Sequence, residues 1–282
     1  MLQTARSLFH PQFLPFQALS DLHLEINQQY QTYEIPARAK HLILAGDIGR
    51  LIDYDNYRDF LRKQTDQFER VFLVLGNHEF YNGTFDEGLQ KARQLETEPS
   101  LNGRLVLLHR RRYDVPGSRV TILGCTLWSN VPGDLRDVVR AKIQDFKKIR
   151  GWGVDEHIAS HGADLDWLLN EIQSIQTENE AVGKKGEKRS ILVVTHHAPS
   201  LRGTSSPQHA DNPWRFAFGT DVLGRVSGLD AVKAWVFGHT HYSTEFKEAG
   251  VRVMSNQRGY VLPWSEPSKR EDGFDVEKVI YV

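Results

Sequence analysis

Cysteine, methionine and net charge are what this 282-residue chain has least of: one Cys, two Met, and 35 basic residues against 36 acidic ones for a formal charge of −1. A lone Cys125 cannot close an intramolecular disulfide, which removes the stapled secreted domains and favours a reducing compartment. Its surroundings, Val120-Thr121-Ile122-Leu123-Gly124-Cys125, read as a buried strand, so the thiol is expected as core filling rather than as a nucleophile. No stretch approaches the roughly 18 apolar residues of a membrane helix. The N-terminal segment lacks the charged start and apolar centre of a signal peptide, so a cytoplasmic location is the expectation. Without a basic surplus, duplex nucleic acid and acidic membranes are disfavoured partners.

What is present describes a folded chain long enough to bury a core without staples. Short apolar runs alternate with helical patterns, the signature of an α/β protein. Strands are expected over 16–20, 41–45, 71–75, 105–109, 120–127, 191–195, 234–237, 251–255 and 276–282. Helices are expected over 54–70, 85–96, 135–148 and 155–176. The polar stretch 178–189 reads as a solvated loop, and matching motifs on both sides of it favour one domain over 1–282. Residues 198–224 are rich in Pro, Ser, Gly and Asn yet carry Trp214, Phe216 and Phe218, which reads as a substrate-site loop or lid.

Five of the strands run into polar clusters of one kind: Asp21-Leu22-His23, Gly46-Asp47, Gly76-Asn77-His78-Glu79, His196-His197 and Gly238-His239-Thr240-His241. In open α/β sheets ligands sit beyond the carboxyl ends of strands, so these side chains are expected at one rim. Carboxylate and imidazole together suit metals of intermediate hardness. Without clustered Cys there is no thiolate zinc site, and six or seven N/O ligands are too many for one tetrahedral ion. Two ions sharing a bridging ligand, about 3.5–4 Å apart, fit the count.

This order of motifs resembles the calcineurin-like metallophosphoesterases, whose pattern is D-x-H, G-D, G-N-H-[D/E], H and G-H-x-H. The likeness runs from Asp21 to His241 with every motif intact. It implies a four-layer α/β/β/α sandwich, two mixed β-sheets flanked by helices. It also implies two divalent or trivalent ions per chain, drawn from Mn, Fe, Zn or Mg with Mn favoured. Asp21, His23 and His241 would hold the first ion, Asn77, His196 and His239 the second, and Asp47 would bridge them. His78 corresponds to the family's catalytic histidine, which binds a phosphate oxygen or protonates the leaving group. At the position where the protein phosphatases carry the Asp that pairs with this histidine, and the purple acid phosphatases a ligand Tyr, this chain has Arg50. Both branches are therefore disfavoured, and another acid has to orient His78 if any does.

The resemblance implies hydrolysis of phosphate esters by in-line attack of a metal-activated water. A phosphodiesterase acting on small organic or nucleotide-like phosphates is the favoured reading. The alternatives are a nuclease, a phosphomonoesterase or protein phosphatase of the same fold, and, remotely, an inactive interaction scaffold. Substrate contacts are expected from Asn77, His78 and Arg215, with His197 divided between substrate contact and packing. His157 and His161, spaced i, i+4 without the Glu of H-E-x-x-H, read as packing residues. His109-Arg110-Arg111-Arg112 reads as a solvated turn.

Overall fold

A computed structural model describes residues 13–183, 186–226, 228–262 and 273–282. Among the described residues eleven strands are assigned. They are β1 (Pro15–Leu19), β2 (His41–Ala45), β3 (Arg70–Val74), β4 (Leu105–Leu107), β5 (Arg111–Asp114), β6 (Val120–Cys125), β7 (Ser190–Thr195), β8 (Val232–Phe237), β9 (Thr244–Glu248), β10 (Val251–Ser255) and β11 (Val279–Tyr281). The helices are α1 (Tyr54–Gln67), α2 (Phe85–Thr97), α3 (Arg136–Lys142), α4 (Asp145–Lys148) and α5 (Val154–Ala181).

One sheet has the order β11-β1-β2-β3-β4 and the other β5-β6-β7-β8-β10-β9. Strands β11, β5 and β9 are antiparallel to their neighbours and the rest are parallel, so both sheets are mixed. Alternation along each strand builds the layers. Ile43, Ala45, Phe72 and Val74 face inward and meet Ile122, Leu192, Val194 and Val236 of the other sheet. The residues between them face outward: Leu42, Leu44, Val71 and Leu73 lie under Tyr57, Phe60 and Leu61 of α1 and Leu89, Ala92 and Leu95 of α2. On the far side Ile191, Val193 and Trp235 pack against Leu168, Ile172 and Ile175 of α5. This is the four-layer sandwich expected, and strands buried on both faces explain why they read as unbroken apolar runs.

Local signals set the helices. In α1, Tyr57, Phe60, Leu61 and Gln64 are buried at helical spacing. A capping box starts α2: Thr84 Oγ1 accepts from Glu87 N, and Glu87 Oε2 accepts from Thr84 N. Among the described residues no helix is long and apolar enough to cross a membrane.

The structure departs from the sequence reading in four places. The single helix expected over 135–148 is two, because Ile143 is extended (φ −86°, ψ 132°). That break seats Ile143 with Val131, Val139, Val154 and Ala217. Arg111 and Arg112 open the edge strand β5 rather than a solvated turn, with Arg110 left-handed (φ 48°) before them. Their charges are met by acids on the helices: Arg110 by Asp164, Arg111 by Glu96 and Arg112 by Glu178. Strand β9, equally charged, forms a hairpin with β10 through Ala249-Gly250, both at positive φ as a type I′ turn requires. Helix α5 also runs into the stretch expected as loop. Asn179 then ties its end to β7 by donating to Arg189 O and accepting from Arg189 N.

The inter-sheet layer fixes a stability prediction. Phe72 is fully buried there, 5.1 Å from the Tyr113 ring and 6.4 Å from the Phe16 ring. Phe72→Ala is expected to cost about 3–5 kcal/mol. Urea unfolding should show a lower midpoint with an unchanged slope.

Candidate metal centre

Strands β1, β2 and β3 of one sheet and β7 and β8 of the other all end at the same rim. The expected side chains meet there. His23 Nε2 lies 2.9 Å from His241 Nε2, which is 3.5 Å from Asp21 Oδ1. His196 Nε2 lies 3.1 Å from Asn77 Oδ1 and 3.4 Å from Asp47 Oδ1, with His239 in the same group. Asp47 stands between the groups: its Oδ1 faces His196, and its Oδ2 is 3.9 Å from both His23 Nε2 and His78 Nε2.

The turns that produce this convergence are tight. Asp21, His23, Asp47, His239 and His241 all have left-handed backbone, with φ between 45° and 75° by the values 53°, 48°, 54°, 71° and 50°. Such conformations cost L-residues roughly 1–2 kcal/mol each and concentrate at functional sites. The glycines beside them answer a different need, close approach. A Cβ at Gly76 would lie 2.2 Å from Asp47 Oδ1, and one at Gly238 2.6 Å from Asp21 Oδ2.

The donor set suits cations. His23 Nε2 and His241 Nε2 face each other closely enough that at most one proton fits between them. Burial lowers His23 and His239 and brings His241 down to about 4, so these rings present lone pairs. Burial raises Asp21. Burial also pushes Asp47 up, but His196 with His78 and His23 outweighs it and holds the carboxyl well below its usual range. Conversely, burial alone would lower His196, whereas the adjacent Asp47 raises it to about 10. Converging neutral nitrogens around buried carboxylates, with an amide oxygen and no sulfur, fit ions of intermediate hardness. A fixed surround aims these atoms. His196 Nδ1 faces Ala45 O at 2.9 Å, leaving Nε2 toward the site. The Asp21 carboxylate accepts from His239 N, and Gln257 Oε1 accepts from His241 N.

Glu79, the last residue of the G-N-H-E motif, holds the frame. Its buried carboxylate accepts from Asp47 N (3.0 Å), Ile48 N (2.8 Å), Gly49 N (3.4 Å) and Gly76 N (2.7 Å), and from the Tyr57 hydroxyl (3.0 Å).

The acid that faces His78 is Glu25, with Oε1 2.8 Å from Nδ1. Arg50 turns away and forks onto Asp53. On the other side of the ring, the Tyr260 hydroxyl is 3.1 Å from His78 Nε2. Glu25, Tyr260, Asp145 and Tyr81 are site residues that sequence reasoning missed. Only Glu25 had a signal, as the acid two places beyond His23 in Asp-Leu-His-Leu-Glu.

A cavity of about 490 Å³ opens over the rim. Asp47, Asn77, His78, His239 and His241 line its floor; Tyr81, Tyr260 and Asp145 line its side. The segment 198–224 supplies much of the wall through Ser200, Thr204, Trp214, Arg215 and Phe218. It is held closed by Ala198 N donating to Phe218 O and Thr220 N to Ala198 O. Arg215 lies over the Phe216 ring and donates to Ala210 O. His197 is a correction. It is fully buried and absent from the cavity lining, packed instead between the rings of His239 (4.1 Å) and Trp128 (5.3 Å). His157 and His161 are buried in packing, His161 against Leu127 O and His157 against Ser129.

Removing the Glu79 acceptor would orphan four backbone donors at once. Glu79→Ala is expected to destabilise the metal-free protein by about 3 kcal/mol or more, on a scale of roughly 1 kcal/mol per lost hydrogen bond. Denaturant titration at neutral pH measures it, and a cost under about 1 kcal/mol would refute the clamp.

An uncharacterised protein of Acanthamoeba polyphaga mimivirus is 25% identical over 272 residues, covering 86% of this chain and 90% of that protein. The crystal structure of phosphopantetheinyl hydrolase from Mycobacterium tuberculosis is similar with a TM-score of 0.60 at 16% identity, over 88% of this chain and 90% of its own. A dimetal phosphatase from Danio rerio gives 0.48 at 13% identity, over 86% of each chain. The sequence pattern of the calcineurin-like phosphoesterases matches residues 14–243. Matched over most of its length, this chain belongs to the calcineurin-like phosphoesterase family.

Proposed function

We propose that the protein hydrolyses phosphodiesters of small organic or nucleotide-like alcohols with two metal ions. The observation that carries this reading is the Asp47 carboxylate, which turns one oxygen to each of two histidine groups. Asp21, His23 and His241 are assigned to one ion, Asn77, His196 and His239 to the other, and Asp47 to both, with Mn favoured. When bound, the ions would activate water for attack on phosphorus and neutralise charge building on the phosphoryl oxygens.

The chain's own residues supply the remainder. Burial opposes charge on His78, but Asp47 and Glu25 outweigh it and raise the ring above its usual value. With Nδ1–H given to Glu25, the protonated ring keeps Nε2–H to donate to a phosphoryl oxygen or to the leaving oxygen. The Tyr260 hydroxyl accepts from Nε2–H in the absence of substrate, and a phosphoryl or leaving oxygen would take its place. The cavity extends well past the rim, which leaves room for the second ester arm of a diester. Trp214 and Phe218 offer aromatic faces, and Lys142 and Arg215 offer positive charge. The two sheets share one core, which supports a single domain with 198–224 as its substrate wall.

The test is hydrolysis of bis(p-nitrophenyl) phosphate and p-nitrophenyl phosphate by metal-stripped protein reloaded with Mn, Fe, Zn or Mg. Reloading should restore activity, the diester should be preferred, and Asp47→Ala should fall to background. The reading is refuted if neither ester is cleaved with any metal, and its diester part if the monoester is the faster substrate. Glu25→Ala should lower kcat by roughly 10–100-fold at little change in KM, in line with loss of an orienting partner to a general acid. Steady-state kinetics decides, and an unchanged kcat would remove Glu25 from the mechanism.

A further inference from the structure

We infer that Asp145, acting with Tyr81, is the positioning residue that makes Asn77 present its carbonyl oxygen, and not its amino group, to the metal site. The inference rests on the two-metal reading above. The two ends of an asparagine amide are nearly equal in size, yet only the oxygen has a lone pair to ligate a cation. Something must choose between them.

At Asn77 the choice is made by a closed ring of hydrogen bonds. Nδ2 donates to Asp145 Oδ1 at 2.8 Å and to the Tyr81 hydroxyl at 3.0 Å. The Tyr81 hydroxyl, having accepted, donates its own proton to Asp145 Oδ1 at 2.7 Å. Both amide protons are thereby used, and Oδ1 is left facing His196 Nε2 at 3.1 Å. A flipped amide would set oxygen against carboxylate oxygen and aim protons at the site. A carboxylate drawing on the NH₂ group also shifts electron density toward the carbonyl oxygen, strengthening it as a ligand.

Asp145 reaches Asn77 only because the chain breaks at Ile143. One continuous helix would carry residue 145 around the axis with its neighbours. The extended Ile143 instead sends the chain inward, and Asp145 at the start of α4 is 2% exposed beside the cavity. Its other oxygen, Oδ2, has no hydrogen-bond partner, so a direct contact of that atom with metal or substrate is the competing explanation.

Calorimetric titration of the metal-free full chain with MnCl₂ separates the two. Wild type should take two ions per chain. Asp145→Ala should weaken one of them by roughly 10–100-fold, the range for outer partners of metal ligands. Asp145→Asn keeps an acceptor oxygen for Asn77 and Tyr81 and should stay within a few fold of wild type. In an Asn77→Asp background either carboxylate oxygen can ligate and orientation no longer matters. There Asp145→Ala should leave Mn affinity within a few fold, the modest change that loss of its charge alone brings in Asp145→Asn. Melting of each metal-free variant shows that it is folded, and the Asn77→Asp pair keeps the test open if Asp145→Ala alone is not. The inference is overturned if Asp145→Ala binds both ions as wild type does, if Asp145→Asn loses as much as Asp145→Ala, or if the loss persists in the Asn77→Asp background. Fewer than two ions on wild type would instead overturn the two-metal reading itself.

Discussion

Everything at the rim depends on one buried carboxylate tying two strand ends together. Glu79 takes backbone protons from the turn after β2 and from the turn after β3, and Tyr57 of α1 closes its coordination from behind. Five donors on one carboxylate leave the two turns no independent freedom. The effect is geometric: Asp47 is fixed between the histidines of both sheets, and Gly76 passes so near it that no side chain fits. A buried acid of this kind is costly unless fully hydrogen-bonded, and here the bonds it accepts are also the ones that shape the site.

The rim is built against local preference. Five residues assigned as ligands hold left-handed backbone, and none of them is glycine or asparagine. At roughly 1–2 kcal/mol each, this strain is comparable to the whole stability of a small domain. It persists because the buried cores on both faces of the two sheets fix the strands that lead into these turns. Aromatic rings then restrain the imidazole planes: Tyr81 lies against His78, Phe218 against His239, and Tyr260 against both His23 and His241. Precision at the rim comes from the core and from these rings, while the turns themselves contribute strain.

Strand ends were legible in the sequence because each buried strand stops abruptly at a polar cluster. Two sheets, three of the helices and the convergence of the polar clusters at one rim followed from that punctuation and from the family likeness it carries. Strands β5 and β9 were not legible, since edge strands of Arg, Asp, Lys and Glu are held by cross-strand hydrogen bonds and ion pairs that leave no apolar alternation. The break at Ile143 has no Gly or Pro to announce it; tertiary packing of Ile143 with Val139 and Val154 overrides helix propensity. Glu25, Tyr260 and Asp145 escaped for a related reason. Each meets its partner across 53, 182 and 68 positions of chain respectively, and no local pattern encodes such a meeting.

The same long-range meetings explain how a chain with almost no net charge can run phosphate chemistry. Asp21, Glu25, Asp47, Glu79 and Asp145 gather at or just beneath one rim, a local negative excess that would repel an anionic ester. Lys142 and Arg215 at the cavity wall are too few to reverse it. His78 and His196, both raised by the acids beside them, offset part of this charge, and two divalent ions would bring four more positive charges to the floor. Charge balance over the whole sequence therefore says little about the cavity. On the two-metal reading the attraction for substrate would be supplied by metal, and the protein's part would be to gather the buried donors that hold it.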